Sequence, residues 1–93
     1  MYEIRISSRF KKDLKKVKKR SKDFELTRQF IIRLQEKGVQ DLAKSLKPHK
    51  LAGNFNNHLE AHIKPDLLII WIQIESPKKI TLIRIGSHSD LFK

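Results

Sequence analysis

Four histidines, His49, His58, His62 and His88, all fall in the second half of this 93-residue chain, in the company of Asp66 and Arg84. Together these side chains could break an RNA strand without a metal. That reaction needs a base for the 2′-hydroxyl proton, an acid for the departing 5′-oxygen and a cation for the charge that builds on phosphorus. Imidazole gives or takes a proton near neutral pH, a carboxylate orients it, and a guanidinium matches two phosphate oxygens at once.

The same residues admit plainer readings. His58, His62 and Asp66, four apart, could ligate a metal from a helix, but Pro65 and the surrounding alternation break any helix there. On a strand, His58, Glu60 and His62 could still meet a metal, although no closed motif such as His-Glu-x-x-His is present. Each histidine taken singly is better explained as a solvated surface group. The clustering is what calls for a site.

The elements that would hold these residues can be read from periodicity. Tyr2, Ile4 and Ile6 alternate with polar residues and predict a strand. From Phe10 the period lengthens. Phe10, Leu14 and Val17 predict a helix of three turns, capped by Ser7 or Ser8. A second helix, capped by Ser21 or Asp23, runs through Leu26, Phe30, Ile31 and Leu34 and stops at Lys37-Gly38. The next stretch, 39–57, reads mostly as loop, with a helical turn possible at Leu42, Ala43 and Leu46. Leu59, Ala61 and Ile63 then alternate with His58, Glu60 and His62, which places the two histidines and Glu60 on one face of a strand. Pro65-Asp66 makes a turn, and Leu67 to Ile74 is apolar enough to be a central strand covered on both faces, with Trp71 in the core. Ile80 to Ile85 forms a last strand. On strict alternation Arg84 shares a face with Ile80 and Leu82, away from the histidines. The order β-α-α-β-β-β implies an α+β domain, a helical hairpin on one face of a mainly antiparallel sheet, with the other face open.

Composition bounds the rest. One domain spanning 1–93 is expected at this length. With no cysteine, neither disulfides nor thiolate metal sites are available. No apolar run approaches a membrane span and no signal peptide is evident, so a cytoplasmic location is expected. The net charge is +11, and residues 1–50 carry 16 basic against 6 acidic side chains, the remainder 5 against 4. Nine of the basic residues lie between Arg9 and Lys22, with Asp13 the single acid among them. So dense a run repels itself unless a polyanion neutralises it, which marks Lys11, Lys12, Lys15 and Lys16 as phosphate contacts. Phe55 and Phe92, in polar surroundings, are candidates for base stacking. For Phe92 the competing account is a ring folded back on the core.

Three blocks carry a family likeness: Pro48 to Gly53 (PHKLAG), Glu60 to Trp71 (EAHIKPDLLIIW) and Leu82 to Phe92 (LIRIGSHSDLF). They resemble, in content and spacing, the signature blocks of YafQ-type toxins of the RelE/ParE superfamily. The resemblance implies a RelE-like α+β fold and ribosome-dependent, metal-independent cleavage of messenger RNA with no cofactor. It also implies an acidic antitoxin as partner in a hetero-oligomeric complex. By motif, His49, His62, Asp66, Arg84, His88 and Phe92 stand at the family's catalytic and RNA-contacting positions. Arg84 would hold phosphate, and Lys50 and Lys64, inside the first two blocks, join the RNA-contacting set. The chain departs from the pattern at His58-Leu59, where an aromatic residue and an Arg are usual, and at Gly53-Asn54-Phe55, where Gly-x-Trp is usual. Two other functions share features with this chain: a gyrase poison on the same scaffold, which lacks nuclease chemistry, and a nucleic-acid-binding module, for which the basic helix suffices.

Overall fold

The computed structural model describes residues 1–42, 49–50 and 58–92, and of Asp41, His49 and Lys50 it gives the backbone only. The elements are β1 (Glu3–Ile6), α1 (Ser8–Val17), α2 (Ser21–Lys37), a 3-10 turn (Gly38–Asp41), β2 (His49–Lys50), β3 (Leu59–Lys64), β4 (Leu67–Glu75), β5 (Lys78–Gly86) and α3 (His88–Leu91). The sheet order is β1-β5-β4-β3-β2, and among the described residues only β1 and β5 run parallel. This is the α+β arrangement expected from the sequence, extended by a two-residue edge strand and a C-terminal turn of helix.

Local chemistry explains the boundaries. Ser7 caps α1, its hydroxyl accepting from the Phe10 amide at 3.0 Å. Gly38 ends α2 at φ 71°, a conformation that costs glycine little and other residues much. The start of α2 departs from expectation. Neither Ser21 nor Asp23 caps it; Arg20 occupies that position without a side-chain bond. Asp23 instead lies buried in the first turn, where its carboxylate takes the Lys64 ammonium at 2.7 Å. The helix therefore buries Asp23, Thr27, Phe30 and Leu34, and Leu26, expected inside, is exposed.

Both helices cover one face of the sheet. Phe10, Val17, Phe30 and Leu34 pack there against Ala61, Ile69, Trp71, Ile80, Leu82 and Ile85, with Trp71 fully buried as its place in the apolar run requires. The opposite face is not left open. Leu68, Ile70 and Leu91 make a second, smaller cluster joined by Ile83 and Phe92. The reason is α3, which folds back over the strand ends instead of trailing away as a polar tail. That return is tight at Gly86, where a Cβ would sit 3.2 Å from the Asp90 carboxylate and its Cβ and Asp90 would have to give by a few tenths of an ångström. The alternation in β3 holds, with Ala61 and Ile63 in the main core, but Glu60 on the other side is buried and His62 half-buried.

Candidate active site

Strand register sets most of the candidate residues on the second face. His49 pairs with Glu60, Glu60 with Ile70, and Ile70 with Arg84, making one row across four strands. In the next row His62 pairs with Leu68 and Leu68 with Gly86.

Arg84 reaches the first row through an irregularity. Ile70 pairs with Arg84 but Trp71 with Leu82, so Ile83 is an extra residue in β5. This bulge resets the alternation: Ile80, Leu82 and Ile85 all enter the main core, although the last two are three apart. Strict period-two reading, which groups Arg84 with Ile80 and Leu82, is corrected by that one residue.

The bulge is also where α1 is fastened. Besides capping the helix, Ser7 donates its hydroxyl to the Ile83 carbonyl at 2.8 Å and its amide to the Leu82 carbonyl at 2.9 Å. Further along the helix, Asp13 meets Arg84. Its Oδ2 accepts from Arg84 Nε at 2.8 Å and from the Ile85 amide at 3.1 Å, and its Oδ1 accepts from the Arg84 terminal nitrogen at 3.1 Å. The Asp13 hydrogen bond outweighs burial and raises the already high pKa of the guanidinium, which stays charged.

The β3–β4 turn approaches from the other side. Asp66 Oδ1 accepts from the His88 backbone amide at 3.1 Å, fastening α3 to the hairpin. A reciprocal capping box between Ser87 and Asp90 fixes the first turn of α3. His88 remains exposed, and its ring packs against Phe92 with centroids 5.0 Å apart. Phe92 is half-buried against the second cluster and also touches His88, so it combines a place on the core with a face beside the histidine. His62 Nδ1 is buried and has no hydrogen-bond partner among the described residues.

Between α1, the β3–β4 turn and the β5–α3 junction runs a groove of about 720 Å³. Arg9, Lys12, Lys16 and Arg20 line it along α1 and the following turn, facing Asp66, Arg84, Ser87 and Asp90. Two of its acids, Asp13 and Asp23, are engaged by Arg84 and Lys64. The groove thus presents mainly cations to whatever enters it.

The sequence-derived set is therefore only partly assembled. Asp66 and Arg84 share the groove, Asp66 accepts from the His88 backbone amide, and the His88 ring packs at a tilt against Phe92. Lys12 and Lys16 line the groove, whereas Lys11 and Lys15 are exposed elsewhere on α1 and do not. Lys64 is engaged by buried Asp23. The side chains of His49 and Lys50, and all of Phe55, lie outside the described residues. Sequence reasoning did not single out Arg9, Asp13 and Arg20 as site residues. Their spacing with Lys16, 9-13-16-20, is one helical face and was the available signal.

Comparison with known proteins decides the family. The profile described as "Bacterial toxin of type II toxin-antitoxin system, YafQ" matches residues 2–93. The chain belongs to the YafQ toxin family. The mRNA interferase toxin YafQ of Escherichia coli K12 is 29% identical over 90 residues, covering 97% of this chain and 95% of that protein. In the crystal structure of the E. coli DinJ–YafQ toxin–antitoxin complex, a matching chain has a TM-score of 0.85 at 28% identity over 99% of this chain and 98% of its own. A metal-bound toxin from Helicobacter pylori matches with a TM-score of 0.85 at 37% identity over 99% of this chain and all of its own. Among the described residues of this YafQ-family chain, no three of His, Cys, Asp and Glu converge as a metal site.

Proposed function

We propose that this YafQ-family toxin is an endoribonuclease that cuts messenger RNA on the ribosome by attack of a 2′-hydroxyl on the adjacent phosphate. The observation that carries the reading is that a pinned arginine and a carboxylate share one groove, with the backbone of an exposed histidine bonded to that carboxylate, in a chain similar to a named mRNA interferase.

The chemistry runs through side chains alone. Arg84 commits Nε–H and one terminal N–H to Asp13 and has three N–H groups left, enough to grip two phosphate oxygens. An imidazole takes the 2′-proton, the 2′-oxygen bonds to phosphorus, and the 5′-oxygen leaves with a proton from a second acid, giving a 2′,3′-cyclic phosphate and a 5′-hydroxyl. His88, His62 and His49 are the candidates for these transfers. Asp66 holds His88 in place through the backbone of α3, and Phe92 braces its ring. The basic lining from Arg9 to Arg20 would track neighbouring phosphates, and Lys64 would add to the local field from its place beside Asp23. An acidic antitoxin covering this groove would neutralise it in a cytoplasmic hetero-oligomer, as a DinJ–YafQ complex exists for the relative.

The test is to supply the purified chain to translating ribosomes and map RNA ends. New ends bearing cyclic phosphate, unaffected by EDTA under conditions that keep ribosomes intact and absent when the scissile 2′-hydroxyl is replaced by hydrogen, are expected. Translation arrest without new ends would remove the nuclease reading, and activity lost in EDTA and restored by zinc would assign the chemistry to a metal.

A further inference from the structure

Asp13 is the only acid between Arg9 and Lys22, in a segment otherwise committed to positive charge. In a groove meant for a polyanion such a carboxylate is unfavourable unless it does something a neutral residue cannot. It is 11% exposed and its partner Arg84 15% exposed, so neither is a solvated surface group. Two tasks meet in it. β1 pairs with β5 only as far as Leu82, so the Ile85 amide lies past the bulge and beyond that pairing, and Asp13 Oδ2 accepts from it instead. The same carboxylate grips the side-on edge of the Arg84 guanidinium through two atoms, which fixes its plane as well as its position.

We propose that Asp13 is a positioning residue for catalysis: it holds the guanidinium of Arg84 so that its free edge meets the phosphate as charge develops there. The inference rests on the endoribonuclease reading above. A guanidinium held on one edge cannot swing to follow the ground-state phosphate, and its remaining donors stay where the transition state needs them.

Asp13→Asn separates the two tasks. The amide oxygen can still accept from Ile85 and from Arg84 Nε, so the seam between α1 and β5 is kept. The amide nitrogen, however, faces the arginine's terminal N–H donor to donor, and the bidentate grip is lost. On translating ribosomes kcat should fall roughly 10- to 100-fold. KM should hold steady or drop, because removing a negative charge beside a polyanion favours its binding. Placed in an Arg84→Lys background, where no guanidinium remains to orient, Asp13→Asn should change kcat by less than about twofold. Unchanged kcat in the single variant, KM rising in step with a falling kcat, or an undiminished loss in the Arg84→Lys background would each overturn the inference. Should Asp13→Asn fail to fold, Asp13→Glu, which keeps the charge but shifts the carboxylate by a methylene, is read by the same criteria. Absence of cleavage by the wild type would remove the endoribonuclease reading and this inference together, whereas Asp13→Asn behaving as wild type removes this one alone.

Discussion

The two ends of β4 and β5 both carry polar clusters, and they are used differently. At one end, Tyr2 donates to the Glu75 carboxylate at 2.7 Å, and Gln73 donates to Glu75 at 2.9 Å and to Tyr2 at 3.3 Å. The Gln73 carbonyl oxygen accepts from the Val39 amide and the Trp71 indole. Every donor and acceptor of the Gln73 amide is used, joining the end of α2 to β1 and β4. At the other end, Arg84 bonds Asp13 through one edge of its guanidinium, His62 Nδ1 has no partner among the described residues, and the ring of His88 lies exposed. A saturated network fixes a fold; donors and acceptors held in place but left over are what a substrate can use.

The difference is sharpest if each end is broken by one substitution. His88→Gln should reduce cleavage by roughly 10²- to 10⁴-fold, the usual share of a general acid or base, while the melting temperature barely moves, because the Asp66 bond is to the His88 backbone. A large melting drop with normal cleavage by the folded fraction would move His88 to the structural side of the comparison.

Gln73→Ala should do the reverse. It strands the Trp71 indole and Val39 amide, which costs about 1–3 kcal/mol and, in a domain of this size, roughly 4–8 °C of melting temperature per kcal/mol. The kcat of the folded protein should be unchanged, and a kcat lowered at temperatures where the variant is fully folded would show that the two ends are coupled.

A smaller effect separates the two sides of α1. Replacing Arg9, Lys12 or Lys16 by Gln should lower the slope of log affinity against log salt by about 0.7 for each phosphate of single-stranded RNA that is no longer neutralised. The same change at Lys11 or Lys15, outside the groove, should leave the slope alone. Equal slopes for all five would mean that the groove is not the RNA track.

The smallest is a pH effect confined to the saturated end. Burial first, and then the Glu75 hydrogen bond, push the Tyr2 phenol above its ordinary value. A phenol raised on folding favours the protonated folded state. Its contribution to stability is complete below the ordinary phenol range, about pH 10, and is lost as pH rises through the folded value. Tyr2→Phe should flatten the alkaline fall of melting temperature without touching cleavage near neutral pH. An alkaline limb identical to wild type would assign the loss to other groups.

Particular residues show how much of this was legible beforehand. The helical hairpin and the apolar central strand with Trp71 follow from spacing, because burial on one face imposes its period on the sequence, and spacing also narrows the α1 cap to Ser7 or Ser8, of which the structure uses Ser7. Leu26 and Asp23 show where that logic stops. Helical periodicity gives a stripe but not its orientation, and a lysine arriving from β3 let a carboxylate take a core position while a leucine faced water. The capping box at Ser87 is written in the sequence as Ser-x-x-Asp, yet four residues of helix give too little periodicity to be recognised.

By itself the sequence determined the first strand, the helical hairpin and the three long strands of the second half, the strongly basic character of the first half and, through three blocks of residues, the family. It also supplied the histidines, the carboxylates and the arginine that the chemistry needs. Only tertiary structure decided how they meet. One extra residue at Ile83 turns Arg84 out of the main core's alternation, and Ser7 pins α1 where Asp13 can reach it. Bulges and long-range hydrogen bonds of this kind depend on what lies across the sheet, up to 76 residues away in sequence, and leave no period behind.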